Sequence, residues 1–384
     1  MKSVHRIRGV GLFVLSAIVL PILLALPARA TPMLLVDMET LSVLQAEDAG
    51  QPWHPASLTK LMTAFVAFEQ VALGRITLDT PVVLSRRAVA LPPSRSELPA
   101  ESAISLRDAL YILIVKSAND VAMGIAETIG GTEGEFVAMM NDAARRMGMT
   151  GTHFVNSHGL HDAAQVTTAR DLAILTLYIH QTYPQYDEMF GTETVRLGSR
   201  TYESQNHLLT QFAGTTGGKT GYVCASGLNL VVTVERGGRQ LLAVVLGASS
   251  SRERNERAAE MVLRGLSGPG GTQNLLQLAN VAAAPTDMRR LICGADSAQY
   301  VAGREAAFPM GMQGQPSYLN DEIPGRTYVA TDLGRIRVGI PLPRPRPSFA
   351  PAVASAYVAE GLRGPVDVST LPPTIPFPRP RPNF

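Results

Sequence analysis

The chain has 384 residues, 46% of them hydrophobic and 17% charged, which is apolar content enough for a sizeable core. Its 34 Lys and Arg stand against 32 Asp and Glu, but Lys2, Arg6, Arg8 and Arg29 fall in the first thirty positions, where no acid occurs. Without that segment the formal charge is −2, so the basic balance of the whole chain is no evidence for nucleic-acid binding, which would want a basic face.

The chain opens with a basic "MKSVHRIR", an apolar "GVGLFVLSAIVLPILLALP" and a small-residue "ARA". This order predicts a secretory signal over residues 1–30, cleaved after Ala30 and delivering the rest to the periplasm or cell envelope. The apolar run is also long enough to span a bilayer if retained.

Residues 31–267 read as one globular domain. "MLLVDMETLSVLQAED" predicts a hairpin, two apolar runs around a polar turn. "PASLTKLMTAF" then predicts a helix from near Ser57 to Leu73, stopped by Gly74 as a C′ glycine. Leu58, Leu61, Met62, Phe65, Val66 and Phe68 leave that helix almost no polar face, so it is central and buried. Ser105 with Asp108, Thr132 with Glu135 and Thr168 with Asp171 mark three later helix starts, and a polar break falls at Ser117 to Asp120.

A strand at Lys219, another through Leu228–Val234, a Gly237-Gly238 turn and a third strand through Leu241–Leu246 follow, before the amphipathic "SRERNERAAEMVLRGL". Hairpin, helical cluster, antiparallel meander and final helix make an α+β order rather than alternating βαβ units. Cys224 and Cys293 are too few for a disulfide-built fold. In an oxidising compartment they either pair or remain two buried thiols.

Residues 268–384 hold 17 of the 27 prolines, and "IPLPRPRPSF" at 340–349 recurs as "IPFPRPRPNF" at 375–384. Dense proline favours extended polyproline II, so this region is expected to be largely extended or disordered, a spacer or a docking motif for the wall or a protein partner.

Ser57-Leu58-Thr59-Lys60, Ser117-Ala118-Asn119 and Lys219-Thr220-Gly221 carry the chemistry. A lysine three residues after a serine on a helix shares its face. An amine in apolar surroundings loses its proton readily and can activate the hydroxyl. Ser117 and Asn119, at a helix break, can project into a cleft; Lys219 and Thr220, at a strand, can hold a carboxylate, and Gly221 admits a substrate backbone. His153, His158 and His161 match no closed zinc pattern, so no metal or cofactor is expected.

The three motifs are those of penicillin-binding proteins and serine β-lactamases. With "SLTKLMT", "KSANDVA", "FVNSHGL" and "GGKTGYV", residues 32 to 266 resemble the low-molecular-mass D-alanyl-D-alanine carboxypeptidases of peptidase family S11. The resemblance implies a serine β-lactamase/DD-peptidase-like α+β fold, an antiparallel sheet flanked by helices. It implies Ser57 as acylated nucleophile, Lys60 as base, and Ser117 and Asn119 as the second catalytic element. Lys219, Thr220 and Gly221 would bind substrate, with the backbone N–H groups of Ser57 and Tyr222 as oxyanion hole. The implied substrate is the peptidoglycan pentapeptide, and β-lactams would be covalent inhibitors. The same chemistry would serve a D,D-endopeptidase, and a wall-binding protein could keep the cleft without using it. The loop "NSHGLHDAAQVTTARD" carries no glutamate to activate a deacylating water, so rapid β-lactam hydrolysis is not expected.

Overall fold

A computed structural model describes residues 31–268, 270–271 and 273–336; the expected signal segment and the Pro-Arg-Pro repeats lie outside them. The expected hairpin is β1 (Met33–Asp37) and β2 (Ser42–Glu47). A 3-10 turn at Ala56–Leu58 leads into α1 (Thr59–Ala72), and Gly74 with φ +66° follows the helix end as anticipated. Ser57 therefore sits in a tighter turn just before the α-helix, rather than on its first turn.

Next come β3 (Pro81–Val83), α2 (Arg86–Val89), β4 (Ser102–Ser105), α3 (Leu106–Val115), α4 (Asn119–Gly130), α5 (Glu133–Arg146) and α6 (Ala169–Thr182). Ser105, Thr132 and Thr168 cap α3, α5 and α6, each hydroxyl accepting the backbone N–H three residues on. A short α7 (Asp187–Phe190) precedes a hairpin of β5 (Thr192–Leu197) and β6 (Arg200–Glu203). After α8 (Leu208–Gln211) the meander is β7 (Thr215–Val223), β8 (Gly227–Arg236) and β9 (Arg239–Ala248), closed by α9 (Ser251–Ser267).

The main sheet is antiparallel, and with β10 (Gln273–Asn274) its order is β10-β2-β1-β9-β8-β7. Its central strands are buried on both faces, which is why their sequences are continuously apolar. Leu34, Val36, Leu242, Val244 and Leu246 enter the helical core around α1, α3, α4 and α6. Met33, Leu35, Leu241, Ala243 and Val245 meet Ala258, Ala259 and Val262 of α9 on the other side. The catalytic-motif strand β7 is left at the sheet edge.

The expectation for residues 268–384 fails over 273–336. This stretch forms β10, α10 (Arg289–Cys293), α11 (Ser297–Ala307), β11 (Arg326–Ala330) and β12 (Asp332–Arg335). β11 adds in parallel to β5, β12 pairs with β4, and Leu275, Met288 and Ala330 are buried. The Tyr328 ring stacks on Tyr111 with 3.5 Å between centroids, and its hydroxyl donates to Asp108 Oδ1 at 2.8 Å. Composition misled because 12 of the 17 prolines lie past residue 336, and averaging hid the apolar anchors before them. Glu253 of α9 fastens this region, bonding Arg304 of α11 as well as Ser249 and Arg257.

Candidate active site

The three motifs meet where the turn before α1, the α3–α4 break and edge strand β7 converge. Lys60, the second residue of α1, has no exposed surface. Its Nζ lies 3.1 Å from Ser57 Oγ, 2.7 Å from Asn119 Oδ1 and 2.5 Å from the His158 carbonyl oxygen. Burial above all, and then the positive charge of Lys219, lower its pKa well below the usual lysine range, with Asp120 opposing. A neutral amine has two N–H donors and one lone pair. The two carbonyl oxygens take the donors, which turns the lone pair toward the Ser57 hydroxyl.

Each partner is itself held. Asn119 opens α4; its Nδ2 donates to the Pro92 carbonyl at 2.9 Å and its backbone N–H to the Ser94 carbonyl at 2.8 Å. The loop bearing His158 is braced by Gln165, whose Oε1 accepts from the backbone of Val155 and Asn156 while Nε2 reaches Thr59 Oγ1. His158 Nδ1 accepts the Leu160 N–H, so this imidazole is part of the loop's scaffold. Burial, then Lys60 and Arg87, push its pKa down to about 3. His153 bridges Val166 through its backbone, and the His161 ring meets the His54 ring edge-on at 4.8 Å.

Ser117 and Ala56 take positive φ, +61° and +49°, in a region that non-glycine residues enter at a cost of about 1–3 kcal/mol. At Ser117 this aims the hydroxyl at Lys219, whose Nζ donates to Ser117 Oγ at 2.8 Å and to the Thr220 carbonyl at 2.9 Å. On β7, Gly221 lies so close to the serine turn that an added Cβ would stand 3.0 Å from both Ser57 N and the Pro55 carbonyl oxygen. That approach brings the backbone around Tyr222 to Ser57, while the Tyr222 side chain points outward, 50% exposed. Thr220 is half-buried beside them.

One participant was not anticipated from sequence. Arg254 of α9 is buried, with Nε donating to Asn255 Oδ1 and an Nη to the Gln205 carbonyl, each at 2.9 Å. Burial lowers its pKa to about 10; burial and then Arg254 lower Lys219 to about 7. Among the described residues neither cation has a carboxylate in ion-pair range. Two buried, mutually repelling cations without a counter-ion create a site that an anion relieves. In sequence, Arg252, Arg254 and Arg257 look alike on an amphipathic helix, and only helix phase distinguishes the inward one.

Cys224 and Cys293, left open above, form a disulfide with 5.7 Å between their Cα atoms. Trp53 is buried, donating from Nε1 to the Ser226 carbonyl at 2.9 Å.

Known structures share this fold. Penicillin-binding protein 6B from Escherichia coli matches at 34% identity with TM-score 0.59, over 62% of this chain and 77% of that one. Penicillin-binding protein D2 from Listeria monocytogenes, in its cefotaxime-bound form, matches at 28% identity with TM-score 0.57, over 62% of this chain and 98% of that one. The fold is that of the penicillin-binding proteins.

Residues 24–250 match the family described as D-alanyl-D-alanine carboxypeptidase, Peptidase S11, and the chain belongs to that family. It is 35% identical over 235 residues to D-alanyl-D-alanine carboxypeptidase DacD of Salmonella typhimurium, covering 59% of this chain and 60% of that protein. It is 29% identical over 239 residues to DacF of Bacillus subtilis, covering 61% of each. The chain thus spans about three fifths of the length of these curated relatives.

Proposed function

We propose that this protein is a serine-type D-Ala-D-Ala carboxypeptidase that removes the terminal D-alanine of peptidoglycan stem peptides through an acyl-enzyme at Ser57. The observation that carries the reading is the buried Lys60 amine, 3.1 Å from Ser57 Oγ and held from behind by two carbonyl oxygens. Lys60 takes the Ser57 proton as the hydroxyl oxygen attacks the penultimate carbonyl carbon. The developing oxyanion falls between the backbone N–H groups of Ser57 and Tyr222.

Lys219 and Arg254 receive the terminal carboxylate, with Thr220 beside it, and the carboxylate in turn stabilises the protonated form of Lys219. When the peptide C–N bond breaks, the leaving amine collects a proton through the Ser117 hydroxyl and departs as D-alanine. Water then hydrolyses the ester at Ser57. The chemistry runs on side chains and backbone donors and calls for no metal or cofactor. A β-lactam offers a strained amide to the same serine and leaves a covalent ester. Residues 1–30 direct export to the periplasm or envelope, where the substrate is found, and the repeated Pro-Arg-Pro segments supply spaced cations for a contact with the wall or a protein partner.

The test is D-alanine release from a purified stem pentapeptide. The wild type should release it and Ser57→Ala should not. A wild type that releases no D-alanine would overturn the proposal.

A further inference from the structure

The family match ends at residue 250, yet part of the chain beyond it is fixed against the catalytic strand. Cys224, three residues past Gly221, is bonded to Cys293 at the end of α10. The Tyr222 hydroxyl lies against that bond, with Oη 3.2 Å from Cys293 Sγ and 3.9 Å from Cys224 Sγ. The Met288 N–H donates to the Ala225 carbonyl at 2.9 Å, and its buried side chain packs on Gly227 and Gly247. Residues 287–294 are thus held at two points beside the end of β7.

The direction of the cleft says what this segment faces. Lys219 and Arg254 mark the end that takes the terminal carboxylate, and Ser57 comes next along β7, against Gly221. A peptide laid along that edge strand leaves Ser57 over Tyr222 toward Cys224, so its acyl side arrives at the disulfide. There Asp287, Arg289, Arg290, Cys293 and Gly294 line an open depression of about 370 Å³. Arg289 also acts electrostatically on His161 of the loop that holds Lys60, after partial burial and His54. The Arg289 and Arg290 side chains are 54% and 87% exposed, and pair with Asp287 and Asp296 only at 3.7 and 3.5 Å. Such exposed pairs contribute little and yield to a competing carboxylate.

We propose that residues 287–294, clamped by the Cys224–Cys293 disulfide, form an acyl-side subsite for the stem peptide. The Tyr222 ring and the disulfide are its wall, and Arg289 and Arg290 meet free carboxylates of the peptide preceding the scissile bond. The inference rests on the carboxypeptidase reading and adds a specificity determinant outside the three motifs.

Two double variants test it: Cys224→Ser with Cys293→Ser, and Arg289→Ala with Arg290→Ala. Each is assayed on an acidic stem pentapeptide, on diacetyl-L-lysyl-D-alanyl-D-alanine, and for the second-order rate of acylation by benzylpenicillin. For the pentapeptide, kcat/KM should fall about tenfold in both, chiefly through KM, equivalent to one displaced charge-assisted contact. The short peptide and penicillin should stay within about twofold of wild type by the same measure. Equal losses on all three substrates, or an unchanged pentapeptide KM, would overturn the subsite. If the cysteine variant melts at the assay temperature, the exposed arginine pair decides by the same criteria. A wild type that neither releases D-alanine nor takes penicillin would overturn the carboxypeptidase reading and the subsite with it.

Discussion

Replacing Lys60 by methionine keeps an unbranched apolar stem in the same space and deletes the amine. The His158 carbonyl and Asn119 Oδ1 then lose a buried donor, each at a cost of about 1–3 kcal/mol. A compensation works in the other direction. Because burial and then Lys219 lower the Lys60 pKa, the unfolded chain binds a proton that the folded chain does not. That penalty shrinks as pH rises toward the unfolded lysine value, so wild-type stability climbs with pH there; in Lys60→Met the penalty is gone and the slope is reduced. The variant should therefore fold. Its chemistry should not survive: loss of the base removes about 10²- to 10⁴-fold in rate, or roughly 2.7–5.4 kcal/mol of barrier lowering. The assay is the second-order rate constant for acylation by a fluorescent penicillin, with a thermal melt to establish the fold. A folded Lys60→Met acylated within about fivefold of wild type would refute the assignment of Lys60 as base, because even the low end of that range is larger.

Arg254→Leu should lower kcat/KM for D-alanyl-D-alanine peptides by about 10- to 100-fold, mostly through KM, the effect of one lost hydrogen bond to a charged group; an unchanged KM would remove Arg254 from the carboxylate site. In the wild type Lys219 sheds its proton as pH rises through about 7, so peptide kcat/KM should fall across that value, and in Arg254→Leu the alkaline limb should move up. Burial alone would raise the Glu253 pKa, but Arg304 and Ser249 outweigh it and bring it from 4.5 down to about 2. This carboxylate therefore contributes about 3 kcal/mol that is present above its unfolded pKa and lost as pH falls through about 2. Glu253→Gln should show that deficit in urea unfolding at neutral pH, with the gap closing in acid. Tyr328→Ala should cost about 2 kcal/mol of stability, through lost ring stacking and a lost bond to Asp108, without changing penicillin acylation. No change in melting would contradict the packing of residues 273–336 on the domain.

What sequence made legible was local. Ser105, Thr132 and Thr168 announced their helices because a cap is a short-range pattern, and Gly74 marked the end of α1 for the same reason. The Ser57–Lys60 spacing was readable because the turn before α1 and the helix itself bring residues three apart onto one side. Lys219, Thr220 and Gly221 were placed on a strand by the apolar meander that follows.

The missed features depend on distant parts of the chain or on atoms that every residue possesses. The His158 group that orients Lys60 is a backbone carbonyl, and no residue type advertises it. Arg254 enters the site through the phase of α9 relative to a sheet that the local pattern does not reveal. The parallel pairing of β11 with β5 joins segments more than 100 residues apart, and the polar residues of β5 and β6 gave no alternating signal. The Cys224–Cys293 bond waited on that same folding-back of the C-terminal region.

In the proposed reaction Ser57, activated by Lys60, forms a covalent acyl-enzyme. Intact mass followed by peptide mapping after exposure to benzylpenicillin tests it directly. A single adduct of one penicilloyl mass is expected on the peptide containing Ser57, absent in Ser57→Ala. An adduct on another residue, or equal labelling of the Ser57→Ala protein, would contradict it.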